Sequence, residues 1–158
     1  MATPMKVTKV DVWAVEIADQ PGGLARVLEA LDEAGVTIEC CIARRQSDRP
    51  GEGVVFVSPV KGKKAQDAAR RAGLSSATDV ATLRVEGPDR KGAGRALTEA
   101  IASEGINVRG LSAAVLGNRY VAYFGFDTQA DADRAAAAMK RSGKASRGAK
   151  RGSNARRR

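Results

Sequence analysis

Apolar and polar residues alternate along the chain in a pattern that predicts short strands and amphipathic helices in a fixed order. Alternation over Val10–Ile17 predicts a strand. Apolar residues in the segment 24–31 then recur every three or four positions, which predicts a helix that ends at Gly35. Strands are predicted over Val36–Ala43 and Val54–Val60, followed by a second helix whose small-residue face is Ala65, Ala68, Ala69 and Ala72. The order is strand, helix, strand, strand, helix.

The same order recurs in the second half of the chain, so the sequence contains an internal repeat. Beyond residue 54 the two copies align at an offset of 67, so a length difference of three residues lies between Ala43 and Val54. That segment is rich in Pro, Gly and charge, as is typical of a hairpin loop. Before it the offset is 70, with identical residues at Val10, Val15, Glu16, Asp19, Gly22, Glu29, Ala30, Gly35 and Ala43.

A closing strand would complete each copy as a ferredoxin-like βαββαβ unit. After the first copy, Leu74–Asp79 supplies such a strand and runs directly into the second copy. After the second copy no strand is available, but Met5–Lys9 aligns with Ser75–Asp79 at the offset of 70. We therefore hypothesise that the N-terminal segment closes the sheet of the second unit. The predicted fold class is α+β, with two tandem ferredoxin-like units, each an antiparallel sheet with helices on one face.

Charge separates the two units from a basic tail. We expect the first unit over residues 5–79, the second over 80–140 and a disordered tail over 141–158. The net charge is +9, and residues 140–158 contain nine cations and no anion, so the rest of the chain is balanced. The tail has no apolar residue larger than Ala, which is typical of disorder. A nucleic-acid-associated protein that contacts a polyanion through this tail is therefore the alternative function.

Several classes of chemistry are disfavoured. The chain has no histidine, and Cys40 and Cys41 are adjacent, which strains a disulfide. We find no nucleophile–base arrangement and no metal-ligand spacing, so we expect no enzyme activity, catalytic residue, metal site or cofactor. No run of about twenty apolar residues and no secretory pattern is present, so we expect a cytoplasmic protein without membrane contact.

The loop after the first strand has residues suited to holding a small ligand. Pro21 is expected in the first helical turn, and Gly22 and Gly23 remove side chains, so helix amides can approach a carboxylate. Asp19 would hold an ammonium group or cap the helix. A site with an acceptor and several donors suits an α-amino acid. Capping and tight packing explain the same residues, and the loop alone leaves both interpretations open.

The segment Asp19-Gln20-Pro21-Gly22-Gly23-Leu24, together with Leu31–Glu39, resembles the ACT domain. Members of that family are small βαββαβ modules that bind amino acids and regulate metabolic enzymes or transcription. The repeat covers about 130 residues, so the chain looks like a free-standing tandem ACT protein. The resemblance implies a free amino acid or similar small ligand, bound where the loop of one module faces the second strand of another.

The residues implied in ligand binding lie on those two elements. On the loop they are Asp19, Gln20, Pro21, Gly22, Gly23 and Leu24. On the facing strand they are Glu39, Asn107, Arg109 and Leu111, or Thr37, Glu39 and Cys41 if like modules pair. The second copy lacks the Pro and Leu, so Asp89 and Gly92 form a weaker second site with a less rigid helix start. The resemblance also implies a homodimer through sheet or helix packing, with an internal pseudo-dimer left open.

Overall fold

The computed structural model describes the backbone of residues 4–155 and the side chains of residues 4–143. The chain forms two compact units, a first unit over Val10–Thr78 and a second unit that joins the segment ending at Lys9 to the segment beginning at Asp79. In chain order the elements are β1 (Lys6–Val10), β2 (Trp13–Ala18), α1 (Gly23–Glu33), β3 (Cys40–Arg45), β4 (Glu52–Ser58), α2 (Lys63–Arg71), β5 (Ser75–Ser76), β6 (Ala81–Pro88), α3 (Ala93–Ala102), β7 (Gly110–Leu116), β8 (Arg119–Phe126) and α4 (Gln129–Ala155).

Each unit has one four-stranded sheet with two helices packed on it, so the predicted α+β class and ferredoxin-like order are confirmed. In the first unit the strand order is β3-β4-β2-β5. Trp13 lies opposite Val57, and Val15 lies opposite Val55, which places these side chains on the face that the helices cover. From α1, Val27 and Leu31 are buried against them.

The core of the second unit is larger and contains two phenylalanines. Its strand order is β1-β6-β8-β7, with Leu83 opposite Phe124 and Val85 opposite Ala122. The helices add apolar side chains that are almost fully buried, namely Leu97 and Ile101 from α3 and Ala132, Ala135 and Met139 from α4. Within the described residues, no helix is long and apolar enough to cross a membrane.

The N-terminal strand belongs to the second sheet, where β1 lies beside β6. Met5 and Val7 pack against the core of that unit, and Lys9 forms an ion pair of 2.5 Å with Asp133 on α4. This is the strand order expected from the alignment of Met5–Lys9 with Ser75–Asp79. The alternation over Val10–Ile17 spans two strands, because the chain leaves β1 at Val10 and enters the other sheet at Trp13.

Some predicted boundaries differ from the structure. The closing strand of the first unit, expected over Leu74–Asp79, is reduced to Ser75–Ser76. The strand expected from Val36 begins at Cys40, because Val36 and Ile38 are packed against the core from an extended loop without pairing. The helix α4 ends at Ala155, and the disordered tail expected over residues 141–158 stays a prediction. Residues 156–158 lie outside the described part of the chain.

Candidate functional site

The loop between β2 and α1 is a tight turn. The amide of Gly23 donates to the Gln20 carbonyl over 3.1 Å, and Gly22 has φ 84° and ψ −9°. With Pro21 and Gly22 at its central positions, this is a type II turn, which requires a positive φ at its second central residue. Because Gly22 is the N-cap, Pro21 precedes the helix and does not occupy its first turn as predicted.

The carboxylate of Asp19 is bound to the hairpin between β3 and β4. It lies 2.7 Å from Arg45 Nε, and the Asp19 amide donates to the Gly51 carbonyl over 2.9 Å. The N-cap residue of α1 is Gly22, which has no side chain to accept a hydrogen bond from the helix amides, so Asp19 does not cap the helix. A ligand ammonium group that binds Asp19 must therefore compete with Arg45.

The two adjacent glycines of this turn have different roles. Gly22 provides the positive φ, which an L side chain rarely adopts. Gly23 is buried, and a Cβ there would lie 3.0 Å from the Ala18 carbonyl oxygen and 3.5 Å from Ile17 Cδ1. The packing interpretation therefore holds for Gly23, whereas Gly22 shapes the turn that orients the helix.

The first turn of α1 presents hydrogen-bond donors beside this loop. The first helical bond runs from Arg26 N to Gly22 O over 3.1 Å, so the amides of Leu24 and Ala25 precede the helical ladder. The guanidinium of Arg26 lies over the turn, with Nη1 3.6 Å from the position of a Cβ on Gly22. Helical side chains point toward the N-terminus, which explains this placement. The loop thus combines one carboxylate with two guanidinium groups, from Arg26 and Arg45.

A groove lies beside the loop, between β2 and α1. Its volume is about 360 Å³, within the range of small-molecule sites. Both apolar and charged side chains line it. The lining residues are Val15, Glu16, Ile17 and Ala18 from β2, Gly23, Arg26 and Val27 from α1, and Ala72 at the end of α2.

Glu39 is not brought to this loop within the first unit. In the antiparallel pairing of β3 with β4, Arg45 lies opposite Gly53 and Cys40 opposite Ser58. Glu39 donates its amide to the Ser58 carbonyl over 2.8 Å, at the end of β3 away from Asp19. Six residues of extended strand span about 20 Å. Within the first unit, Arg45 therefore lies beside Asp19, and Glu39 lies at the far end of β3. The sequence analysis did not predict Arg45 at this loop.

The second copy keeps the same turn. The Ala93 amide donates to the Arg90 carbonyl over 3.0 Å, and Gly92 has φ 81° and ψ 4°. The turn geometry therefore persists with Lys91 at the proline position. Asp89 donates its amide to the Asn118 carbonyl over 2.7 Å.

The second loop differs from the first in its chemical surroundings. Tyr120 lies close by, and its burial raises the pKa of the phenol, an effect that the neighbouring cations Arg90 and Arg119 oppose. The phenol therefore remains a neutral hydrogen-bonding group at neutral pH. This loop keeps a carboxylate at Asp89, and the tyrosine with the cations Arg90 and Arg119 lies near it in place of Arg45.

Arg109 is held in a contact at the other end of the second sheet. Its Nη1 donates to the Asp79 carbonyl over 2.7 Å, and its Nη2 to Asp79 Oδ2 over 2.9 Å. Asn107 and Leu111 are exposed beside it, around the start of β7. Because β7 ends at Leu116, opposite Arg119, these three residues lie away from the Asp89 loop within their unit.

At the end of each sheet nearest the loop, one large residue lies opposite a glycine. The two units place the large residue and the glycine on opposite strands of the pair. Ile17 lies opposite Gly53 in the first unit, whereas Gly87 lies opposite Tyr120 in the second. A Cβ on Gly87 would come within 2.9 Å of Tyr120 Oη. In both units one large side chain fills the space above a glycine. That side chain comes from β2 in the first unit and from β8 in the second, so different residues lie beneath the two loops.

Arg26 and Arg45 are the charged residues that the sequence interpretation missed. The spacing of four residues between Gly22 and Arg26 would have placed Arg26 over the turn. Predicting Arg45 at this loop would have required the register of β3 against β4. Among residues 4–143, no group of three or more Cys, Asp or Glu side chains is arranged to hold a metal ion.

No protein-family model and no curated protein sequence matches this chain. Solved structures do. The regulatory subunit of aspartate kinase from Thermus thermophilus, in a ligand-free form, superposes with a TM-score of 0.60 at 20% identity, covering 89% of this chain and 97% of that one.

Two further structures show the same likeness. A protein from Bacteroides thetaiotaomicron gives a TM-score of 0.70 at 12% identity, over 85% of this chain and 90% of its own. Aspartokinase III from E. coli, in complex with aspartate and ADP, gives 0.58 at 12% identity over 87% of this chain and 32% of its own. The chain therefore has the same fold as the regulatory subunit of aspartate kinase, built from two tandem ferredoxin-like, ACT-like units.

Proposed function

We propose that this chain is a regulatory protein that binds a free amino acid, or a similar small carboxylate, at the loop between β2 and α1. The observation that carries the proposal is the type II turn, which sets the amides of Leu24 and Ala25 beside the guanidinium of Arg26. Helix N-terminal amides and guanidinium groups both bind carboxylates. The likeness in fold to regulatory subunits of aspartate kinase supports a regulatory role.

Asp19 and Arg45, which form an ion pair, would bind the two opposite charges of an amino acid. The Arg45 side chain is 82% exposed, and exposed ion pairs contribute little to stability. A ligand ammonium group would replace Arg45 beside Asp19, and Arg45 would turn toward the ligand carboxylate. The exchange replaces one ion pair with two, and opening the site costs little free energy because the pair that breaks is exposed.

The proposal also includes the remaining ligand contacts. A neighbouring module would complete the site with a strand that carries Glu39, or Asn107, Arg109 and Leu111, as the family resemblance implies. The protein would act by binding rather than by catalysis, with Asp89 and Gly92 as a weaker second site. A cytoplasmic location stays a prediction.

A thermal-shift screen against the twenty amino acids tests the proposal. A ligand present at about 100 times its dissociation constant should stabilise the protein by ~2.7 kcal/mol, which raises Tm by roughly 5–10 °C. Asp19→Ala and Gly22→Ala should each abolish the shift, because they remove the ammonium partner and the turn that orients the amides.

The second loop provides the matched controls. Gly92→Ala imposes the same backbone strain as Gly22→Ala, since both glycines have φ near 80°. Asp89→Ala removes the corresponding carboxylate. These two variants should retain most of the ligand shift. Absence of a shift with every amino acid in a folded sample, or equal losses in both loops, would contradict the proposal.

The basic C-terminal segment supports a second, separate proposal of polyanion contact, based on nine cations without an anion in residues 140–158. Binding to duplex DNA should weaken steeply with salt, by a slope of about −0.9 per neutralised phosphate in a plot of log affinity against log salt. A chain that ends at Gly143 keeps the 2.5 Å contact of Arg141 with Glu104 and loses the later cations. It should lose the binding, and equal affinities of the two chains would refute this proposal.

A further inference from the structure

The second sheet has one face that its helices do not cover. Leu83 and Phe124 direct their side chains into the core, so the alternate residues of the same strands lie on the opposite, outer face. Tyr123 lies in the middle of this outer face, with Arg84 opposite it on β6 and Ser112 opposite it on β7. The tyrosine ring is half-buried, and the Arg84 guanidinium interacts with its hydroxyl. The sheet therefore displays one aromatic ring in a fixed position among polar side chains.

Two glycines beside Tyr123 leave a flat strip of backbone on this face. Gly110 and Gly125 lie opposite each other on β7 and β8, and both positions face outward. A Cβ on Gly110 would meet no atom of the described chain within 4 Å, so the space above the strip is open. At the corresponding positions of the first sheet, Cys40 lies opposite Ser58, so side chains fill the strip. The open strip beside an aromatic ring is specific to the second unit.

The charges of this unit favour an anionic ligand. Among the described residues of the outer face, the cations Lys6, Arg84 and Arg119 accompany one carboxylate. That carboxylate is Glu86, and it is already paired with Arg84 over 3.0 Å. The segment 140–158 of the same unit adds nine cations. An anionic ligand that also carries planar rings therefore matches both the charge of the unit and the exposed tyrosine.

Single-stranded nucleic acids combine these two properties. Their phosphates are anionic, and their unpaired bases stack on aromatic side chains that a sheet presents. A duplex keeps its bases stacked on one another, so it offers the tyrosine no free base. The flat strip gives a base room to lie beside the ring, because no side chain rises from it.

We infer that the outer face of the second sheet binds a single-stranded nucleic acid, with one base stacked on the Tyr123 ring above the strip formed by Gly110 and Gly125. Lys6 and Arg119 contact the phosphates. The inference deepens the proposed polyanion contact by naming the nucleic acid and the surface that binds its bases. It is independent of amino-acid binding at the β2–α1 loop.

Two substitutions of the same residue test the stacking. The probe is a fluorescein-labelled single-stranded oligothymidylate of about ten nucleotides, titrated with the full chain and followed by fluorescence anisotropy. Tyr123→Leu should bind it about tenfold more weakly than Tyr123→Phe, because only the leucine variant loses the ring. Phe56→Leu is the control in the first sheet, where the corresponding ring lies 5.8 Å from the Arg44 guanidinium carbon. It should leave the affinity unchanged.

The glycine strip provides a second test. Gly110→Val places a side chain on the strip, and the open space with the β propensity of valine allows the sheet to form. It should weaken binding about tenfold by taking the space of the base. Ala114→Val is the control, because Ala114 lies on the same strand and face but opposite Val121, away from the strip. Circular dichroism of each variant checks folding.

Equal affinities of the two Tyr123 variants, equal effects of Gly110→Val and Ala114→Val, or no binding by the wild-type chain would each overturn the inference. At raised salt, duplex DNA of the same length should compete poorly, because phosphate contacts of the basic segment weaken with salt far more than stacking does. A duplex that competes as well as the single strand would leave polyanion contact standing and refute the stacking site. None of these results alters the amino-acid thermal shift.

Discussion

Removal of residues 1–9 is expected to destabilise the second unit by roughly 3 kcal/mol or more, because it deletes a strand and two core-contacting side chains. The strand β1 lies beside β6, and Met5 and Val7 pack against the core that contains Leu83 and Phe124. Without β1, one edge of β6 is exposed and this core is open to water. Hydrogen exchange measured residue by residue should show protection lost first in β6 and β8.

Two point variants of the full chain separate packing from simple loss of chain length. Val7→Asp places a charge against the core and should reproduce most of the destabilisation, about 2–3 kcal/mol in urea unfolding. Lys6→Asp changes an exposed side chain of the same strand and should cost less than about 0.5 kcal/mol. If the truncated chain retains full protection in β6, then β1 contributes little to this sheet.

The position of β1 shows what an internal repeat can predict. Alignment of Met5–Lys9 with Ser75–Asp79 indicated a closing strand for the second sheet, although the pattern over Val10–Ile17 hid the break at Asp11 and Val12. Hydrophobic alternation reports which side chains are buried, and it does not report which sheet they enter. The same reason explains why Val36 and Ile38 read as strand and are found in a loop packed on the core.

The sequence analysis found the loop of the candidate site but neither its turn type nor its charges, because it placed Pro21 in the first turn of the helix. The residues Pro21 and Gly22 specify a type II turn by their own conformational preferences, and the structure has one. The partner of Asp19 depends on the register of β3 against β4. That register depends in turn on the hairpin between the two strands, whose length differs between the two copies. A single shift in register would have moved Arg45 to the other face of the sheet. The local chemistry of a loop can therefore be read from sequence more readily than its contacts with distant residues.

The second large effect on stability is expected at Gly87 and Tyr120, the pair beneath the loop of the second unit. Gly87→Ile should destabilise the second unit by about 3 kcal/mol, because overpacking a filled site typically costs 1–3 kcal/mol and Tyr120 occupies the space. A Cβ at Gly87 would already lie 2.9 Å from Tyr120 Oη and 3.1 Å from Cε1. Tyr120→Gly alone should also be destabilising, because it leaves a cavity where a half-buried ring had packed.

The double variant Gly87→Ile with Tyr120→Gly recreates the pair that the first unit has at Ile17 and Gly53, so its cost should fall well below the sum of the single variants. We expect a coupling energy of at least about 1 kcal/mol in urea unfolding. The converse exchange in the first unit should recover less, because a Cβ at Gly53 would lie 3.3 Å from the Arg44 carbonyl, a backbone atom that cannot rotate away. Additive single effects in the second unit would show that Gly87 and Tyr120 do not share one volume, and that the duplicated loops diverged for a reason other than packing.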